Sequence, residues 1–499
     1  MTAPTGPAQT GDLPDEEIQA YEQEFVGATS APGRTPLVIK LLVAATFVVI
    51  LNETIMVNAV PRLMTDFKIT STTAQWALTV FMLTMAAVIP VTGWFLQRVT
   101  TRTAYATAML TFSTGTLIAG LAPSFAVLLV GRVVQAGGTA VMMPLLMTTL
   151  MTVVAAEDRG RVMGQVTLAM SCAPALGPAV SGVLLELGSW RLIFVAVLPI
   201  AVLVGVFGFR QLENVGETNS SPISWLSVVL AGSGFSLFVF GLSKVGNTEW
   251  PLPTALIGAG VVLVAAFAVL QVRLQRFDRP LLDLRTLRHR NYTVSLVLMA
   301  AGFMAFLGSM ILLPLYLQEL RGLTELQTGL LVMPGGLTMG LLGPQVGKVY
   351  DRIGARPLVI PGAVAMVALL FGLSRIGAET PYIVILVLHV ALMASLAAIF
   401  TPVFTIGLGD LSPQLYSHGS SLLGTLQQVA GAIGTALLVV IMTNRTEHLV
   451  KAGEHPVDAF MGGLQWAFAA GAAIGLVVVA MALLLPSKAD APAGGHGGH

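Results

Sequence analysis

Apolar stretches of about 20 residues recur along almost the whole chain, separated by short polar loops. A helix rises about 1.5 Å per residue, so such a stretch matches the roughly 30 Å hydrocarbon core of a bilayer. No water reaches the backbone there, and only helices or closed barrels satisfy its amides and carbonyls. The pattern predicts helical spans at 37–59, 73–97, 103–121, 125–153, 161–186, 190–209, 224–243, 252–272, 292–317, 325–347, 357–375, 381–408, 419–442 and 460–485. The expected fold is therefore an all-α polytopic membrane protein with fourteen transmembrane helices. Hydrophobic residues make up 55% of the 499 and charged ones 10%, more apolar surface than a soluble fold of this length hides.

An even number of spans puts both termini on one side. Basic residues concentrate in the loops of that side, most densely at Arg273, Arg276, Arg279, Arg285, Arg288 and Arg290, which makes it the cytoplasm. The basic segment 273–290 reads as a surface stretch lying on the anionic inner leaflet. Trp76, Trp94, Trp190, Trp225, Trp250 and Trp466 fall near predicted span ends, as an interfacial belt requires. The acidic beginning has no apolar run, so no signal peptide is expected.

Several chemistries are disfavoured. A net charge of +1 gives no reason to expect a nucleic-acid partner, and a single cysteine, Cys172, forms no internal disulfide. The run Gly343-Pro-Gln-Val-Gly347-Lys348 lacks the glycine spacing and hydroxyl of a phosphate loop. With no Ser/His/Asp set or metal cluster either, neither an enzyme nor a cofactor is expected, and the His496/His499 tail reads as unstructured. Energy would have to come from an ion gradient.

A repeat divides the chain. Gly93, Gln97, Arg98 and Arg102 follow the second span, and Gly347, Asp351, Arg352, Gly354 and Arg356 follow the tenth. The glycine and both arginines keep the same offsets, as in a parallel internal repeat. The expected organisation is a tail at 1–36, a six-helix bundle at 37–209, a linker with two inserted spans at 210–290, a second six-helix bundle at 291–485 and a tail at 486–499. Glycine in such loops brings helices together, and a carboxylate there can hold a helix N-terminus or an arginine. Gln97 stands where the second copy has Asp351, so the first contact should be weaker and uncharged.

Small residues and prolines crowd the fifth span: Gly164, Ala173, Pro174, Gly177, Pro178 and Gly182. Small residues permit close backbone approach, and prolines free carbonyls and bend the helix, as suits a joint between moving bundles. This spacing resembles the antiporter signature of the major facilitator superfamily, with Ala173 and Ser181 at two usual glycines. The repeated loop resembles that superfamily's G-x-x-x-D-R-x-G-R motif. Leu51-Asn52-Glu53-Thr54-Ile55 with Pro61, Arg132-Val-Val-Gln135-Ala-Gly137-Gly138 and Trp190-Arg191 with Pro199 are similar to motifs of its fourteen-span drug:proton antiporters. Pro280-Leu-Leu-Asp283, Pro314-Leu-Tyr316 and Gly329-Leu-Leu-Val-Met-Pro334 resemble the start of their second half. The likeness runs from about residue 40 to 445. Members often carry the first-span acid one position earlier, where Asn52 stands.

The resemblance implies a proton-coupled antiporter that exports amphipathic or cationic drugs from a bacterial cytoplasmic membrane by alternating access. The proton is then the coupling ion, membrane lipid the surroundings and a monomer the expected unit. Export of a lipid or an endogenous metabolite is the alternative, and a non-transporting sensor or scaffold a more distant one. Ionisable groups inside spans are costly and usually functional. Glu53 and Arg132 each lie about seven residues from the outer end of their spans, at matching depth. Burial and a neighbouring guanidinium act oppositely on a carboxyl's proton affinity, so a movement altering either couples protons to conformation. Glu53 is the expected protonation site and Arg132 its tuner; a structural ion pair is the other reading. Asn58, Gln135, Met82, Met142 and His389 are candidates for a substrate cavity, His389 also for a proton relay or simple packing. Asp410, Glu319 and Glu186, near span ends, are expected in water.

Overall fold

The computed structural model describes residues 35–215, 222–245, 251–277 and 279–486. Trp250, the acidic start and the histidine tail lie outside the described residues. Among the described residues fourteen long helices follow in chain order: α1 (Leu37–Ile55), α2 (Trp76–Arg98), α3 (Thr101–Gly120), α4 (Phe125–Val153), α5 (Arg159–Glu186), α6 (Arg191–Gln211), α7 (Trp225–Lys244), α8 (Pro251–Gln275), α9 (Arg290–Leu315), α10 (Glu325–Ile353), α11 (Arg356–Leu373), α12 (Tyr382–Gly409), α13 (Tyr416–Lys451) and α14 (Pro456–Leu484). Thirteen helical segments among the described residues are long and apolar enough to cross a membrane. The exception to the predicted fourteen is α3, a 20-residue helix. Its threonines and serine lower its hydropathy, although Thr116 Oγ1 donates within the helix to Phe112 O at 2.7 Å.

Packing repeats between the halves. Within the first, α1 packs on α5 and α6, α4 on α1, α2 and α3, and α3 on α6. The second half reproduces each pair eight helices later: α9 with α13 and α14, α12 with α9, α10 and α11, and α11 with α14. Between the halves, α5 meets α10 along the most extensive pairing in the molecule, and α13 meets α2 and α4. The inserted helices α7 and α8 pair with each other, and α7 lies against α2 and α13. Ser236 Oγ donates to Leu83 O of α2 at 3.1 Å, and Phe240 packs on Trp76 with ring centroids 5.3 Å apart.

Three sequence expectations need correction. The segment 273–290 does not simply lie on a surface: Leu281, Leu282, Asp283 and Thr286 are buried, and the leucines pack with Phe267, Val91, Trp94 and Leu422. A two-leucine anchor is too short to stand out among six arginines. Trp190 is not part of an interfacial belt but 1% exposed, donating to Asp66 at 2.8 Å, where Arg191 also binds at 2.9 Å. Trp225 and Trp466 do stay exposed. Asp410 is not simply solvated. Its carboxylate accepts from the backbone N of Asn291 (3.2 Å) and Tyr292 (3.4 Å) and from Asn291 Nδ2 (3.0 Å), capping α9.

Candidate functional site

Arg132 lies two turns into α4, facing inward at 1% exposure. A guanidinium there needs acceptors for its donors, and the surrounding helices supply them. Its Nε donates to Ala77 O of α2 at 3.0 Å, and Nη1 donates to Gln135 Oε1 at 2.6 Å and reaches Asn52 Oδ1 at 3.5 Å. Phe81 presents its ring face 4.1 Å from the guanidinium carbon. Gln135 then donates to Thr116 Oγ1 at 2.8 Å. One buried charge thus ties α1, α2, α3 and α4 together, and Gln135 is committed to that network rather than open to a ligand.

Glu53 follows Asn52 and so points about 100° further round α1. Among the described residues no ion pair joins it to Arg132. The carboxylate is half-buried at the last turn of α1, just before the backbone tightens into a 3-10 turn at Met56–Ala59. Next to it, Thr54 Oγ1 reaches Ala173 O of α5 at 3.4 Å. Gly177 makes room for this threonine, because a Cβ there would come within 2.8 Å of Thr54 Cβ. The candidate acid therefore sits where α1 crosses the small-residue stretch of α5.

The ends predicted to face the cytoplasm, called the inner end below, are joined. In the α5–α10 seam, Gly160 faces Gly347 and Gly164 faces Gly343, so that an added Cβ on Gly347 would lie 2.6 Å from Gly160 C. Both pairs form G-x-x-x-G patterns, which let backbones touch. Asp351 caps the start of α5, accepting from Gly160 N at 2.9 Å and Arg161 N at 2.8 Å. Negative charge at a helix start is favoured by the helix dipole and by charge-assisted hydrogen bonds. Across the molecule, Gln97 Nε2 donates to Gln414 O at 2.9 Å, just before α13. Ser421 Oγ donates to Ile89 O at 2.6 Å, Thr148 and Ser420 hydroxyls meet at 2.8 Å, and Thr167 meets Thr401 at 2.9 Å. Gly354 ends α10 with φ of 82°, a conformation that favours glycine. The arginines at the matching offsets also find matching places: Arg102 stacks on Phe209 of α6 at 4.3 Å, and Arg356 donates to the carbonyls of Leu483 and Leu485 at the end of α14. Arg98 lies 5.6 Å from the Trp94 ring, Arg352 is exposed, and Gly93 lies under His418.

The remaining predicted residues scatter. His389 is 4% exposed and pairs a ring nitrogen with Val332 O at 3.2 Å, in contact with Gly335. Met142 is fully buried, Met82 is exposed and Asn58 half-buried. Ala173 is buried and Pro174 half-buried within the unbroken α5; the side chain of Pro178 lies outside the described residues. Gly182 looks across to Leu326 at the outer part of the seam. Sequence marked Asn52 only as the place of a missing acid, not as a partner of Arg132, and did not single out Gly160. The available signal for Gly160 was its four-residue spacing from Gly164, mirrored at 343 and 347.

Residues 42–435 match the family model described as Major Facilitator Superfamily. The lincomycin resistance protein LmrB of Listeria monocytogenes is 38% identical over 456 residues, 90% of this chain and 95% of that one. The multidrug resistance protein B homolog of Mycobacterium tuberculosis is 30% identical over 77% of this chain and 72% of its own. Among solved structures, the proton:xylose symporter XylE superposes with a TM-score of 0.61 at 15% identity, covering 91% of this chain and 96% of that one. That last likeness concerns the fold alone.

Proposed function

Because the chain belongs to the major facilitator superfamily, a family of multi-pass membrane transporters, we propose that it exports amphipathic, cationic drugs or antibiotics from a bacterial cytoplasm in exchange for protons. The observation that carries this reading is Glu53, a half-buried carboxylate on the α1 turn that contacts the small-residue stretch of α5. Two relatives named for lincomycin and multidrug resistance support the substrate class. In this reading α3 is the fourteenth span, both termini are cytoplasmic and the protein works as a monomer.

The halves rock about the α5–α10 and α2–α13 seams. With the inner end joined, a site between the halves communicates with the outside. A proton binds the Glu53 carboxylate from that side and removes the negative charge that holds a cationic substrate. When the inner seams part, the proton leaves to the cytoplasm and the carboxylate receives the next cation. Arg132 stays hydrogen-bonded within the first half and supplies a fixed positive field, so the two cargoes compete for one carboxylate.

The test is ethidium uptake into energised inverted vesicles, wild type beside Glu53→Gln, with the pH gradient collapsed midway. Uptake that stops with the gradient and is lost in the variant is expected. Wild-type uptake by a folded Glu53→Gln protein would remove Glu53 from the mechanism. No ethidium movement by the wild type would overturn the drug reading in favour of a lipid or metabolite.

A further inference from the structure

A cavity of about 520 Å3 opens at the inner end, beneath the seam between α2 and α13. One wall is the segment after α8, which contributes Asp283, Arg285, Arg288 and His289; the opposite wall holds Gln97, Gln414 and His418. The cavity lies at the inner end, away from Glu53 and Arg132, and borders the Gln97–Gln414 contact of the α2–α13 seam.

Its charge is unbalanced. Among the described residues Asp283 is the one acid on its lining, and that carboxylate is already engaged. Arg285 Nη2 binds it at 2.7 Å and Nε at 2.8 Å, and it also accepts from Arg285 N at 2.8 Å and Gln275 Nε2 at 3.0 Å. The bond holds the Arg285 guanidinium in place instead of cancelling the site, because Arg288 and His289 stand on the same wall. Opposite them, His418 is 3% exposed, and its Nδ1 has no hydrogen-bond partner among the described residues. That nitrogen is turned onto Gly93 of α2, and the ring lines the cavity beside Gln97 and Gln414. The guanidinium of Arg288, hydroxyl and amide donors from Ser412 and Gln97, and two imidazoles suit a tetrahedral oxyanion.

We propose that this cavity binds a phosphate-type anion, and that the bound anion ties the 280–289 segment to the α2–α13 seam and holds that seam closed. The α5–α10 seam carries its own anion in the Asp351 carboxylate. The α2–α13 seam has neutral Gln97 at the matching offset, and the ligand supplies the missing negative charge. Two sources offer this chemistry: a phospholipid headgroup reaching in from the inner leaflet, or a free phosphate ester. Basic recesses beside transmembrane helices at the cytoplasmic surface bind anionic headgroups by the same physics. Binding stands independently of the drug reading; the effect on the seam rests on the rocking of the two halves.

The full-length protein in phosphatidylcholine nanodiscs, with and without phosphatidylglycerol, provides the test, read as the thermal unfolding midpoint. Phosphatidylglycerol should raise the midpoint of wild type and of Arg290→Gln, whose side chain does not line the cavity. The rise should be lost in Arg288→Gln and in His418→Gln. Glycerol phosphate added to phosphatidylcholine discs separates the sources: a rise with it assigns a free ester, a rise with phosphatidylglycerol alone assigns the headgroup. Equal rises in wild type and both variants, or no rise with either ligand, would overturn the site. Gln97→Cys paired with Gln414→Cys, in a chain with Cys172→Ser, reads the seam. Crosslinking should quicken when the anion is present, and an unchanged rate rejects the latch while vesicle uptake of ethidium separately judges the transport reading.

Discussion

Where α5 meets α10 at the inner end, backbone lies on backbone and a carboxylate caps the joint; where α2 meets α13, side chains reach across to carbonyls. The first seam joins Gly160 to Gly347 and Gly164 to Gly343, with Asp351 accepting from two amides at the start of α5. The second sets Gly93 close under His418 and Ser421, with neutral hydrogen bonds from Gln97 to Gln414 O and from Ser421 to Ile89 O. The two are equivalent in the repeat, yet one is rigid and charged and the other loose and neutral. A rocking molecule with unequal joints opens first at the weaker one. The inserted α7–α8 pair and the segment behind it lie on that weaker side, which braces from outside what the seam lacks within.

The comparison can be broken by altering either joint. Gly347→Val should have the largest effect, since its side chain would occupy the Gly160 carbonyl; overpacking of this kind costs about 1–3 kcal/mol. Loss of transport with a lowered unfolding midpoint is expected. Asp351→Asn removes the charge from two hydrogen bonds, a loss of about 1.5–3 kcal/mol. Cys172, the chain's sole cysteine, packs against Gly340 in that seam, so its maleimide labelling should speed up in this variant. Gln97→Ala deletes one neutral bond, about 0.5–1.5 kcal/mol, and should leave Cys172 labelling unchanged while lowering the midpoint slightly. Gly93→Ala should be nearly silent. The nearest atom to its new methyl is a His418 ring nitrogen at 3.0 Å, and the gain of about 0.5–1 kcal/mol for alanine in a helix offsets the crowding. A Gly93→Ala protein as damaged as Gly347→Val would end the distinction between the seams.

Much of the helix order was legible because an apolar span has few alternatives. The hydroxyl-rich α3 strained that rule, since a threonine such as Thr116 lowers its hydropathy even while bonding its own helix. Arg132 stood out as a charge in hydrocarbon, but Gln135 was expected in a cavity and not as its partner. Asn52 is an uncharged amide that looks like filler until the fold turns it toward the guanidinium. Asp351 was recognisable as a carboxylate able to hold a helix start, but which helix is a matter of tertiary packing. Leu281 and Leu282 were hidden among arginines because hydropathy averages over windows longer than two residues. His418 gave no signal at all, being one polar residue at the beginning of a long helix.

The glycine contacts of α5 and α10 have a consequence for how such a transporter changes over generations. Where glycine backbone meets glycine backbone there is no side chain to trim, so a mutation at those four positions leaves the contact intact or ruins it. Gradual retuning of the cycle is open only at the α2–α13 joint and the segment behind it, where every contact ends in a replaceable group. Adaptation to a new compound through the conformational balance should therefore leave its marks on that one side of the molecule.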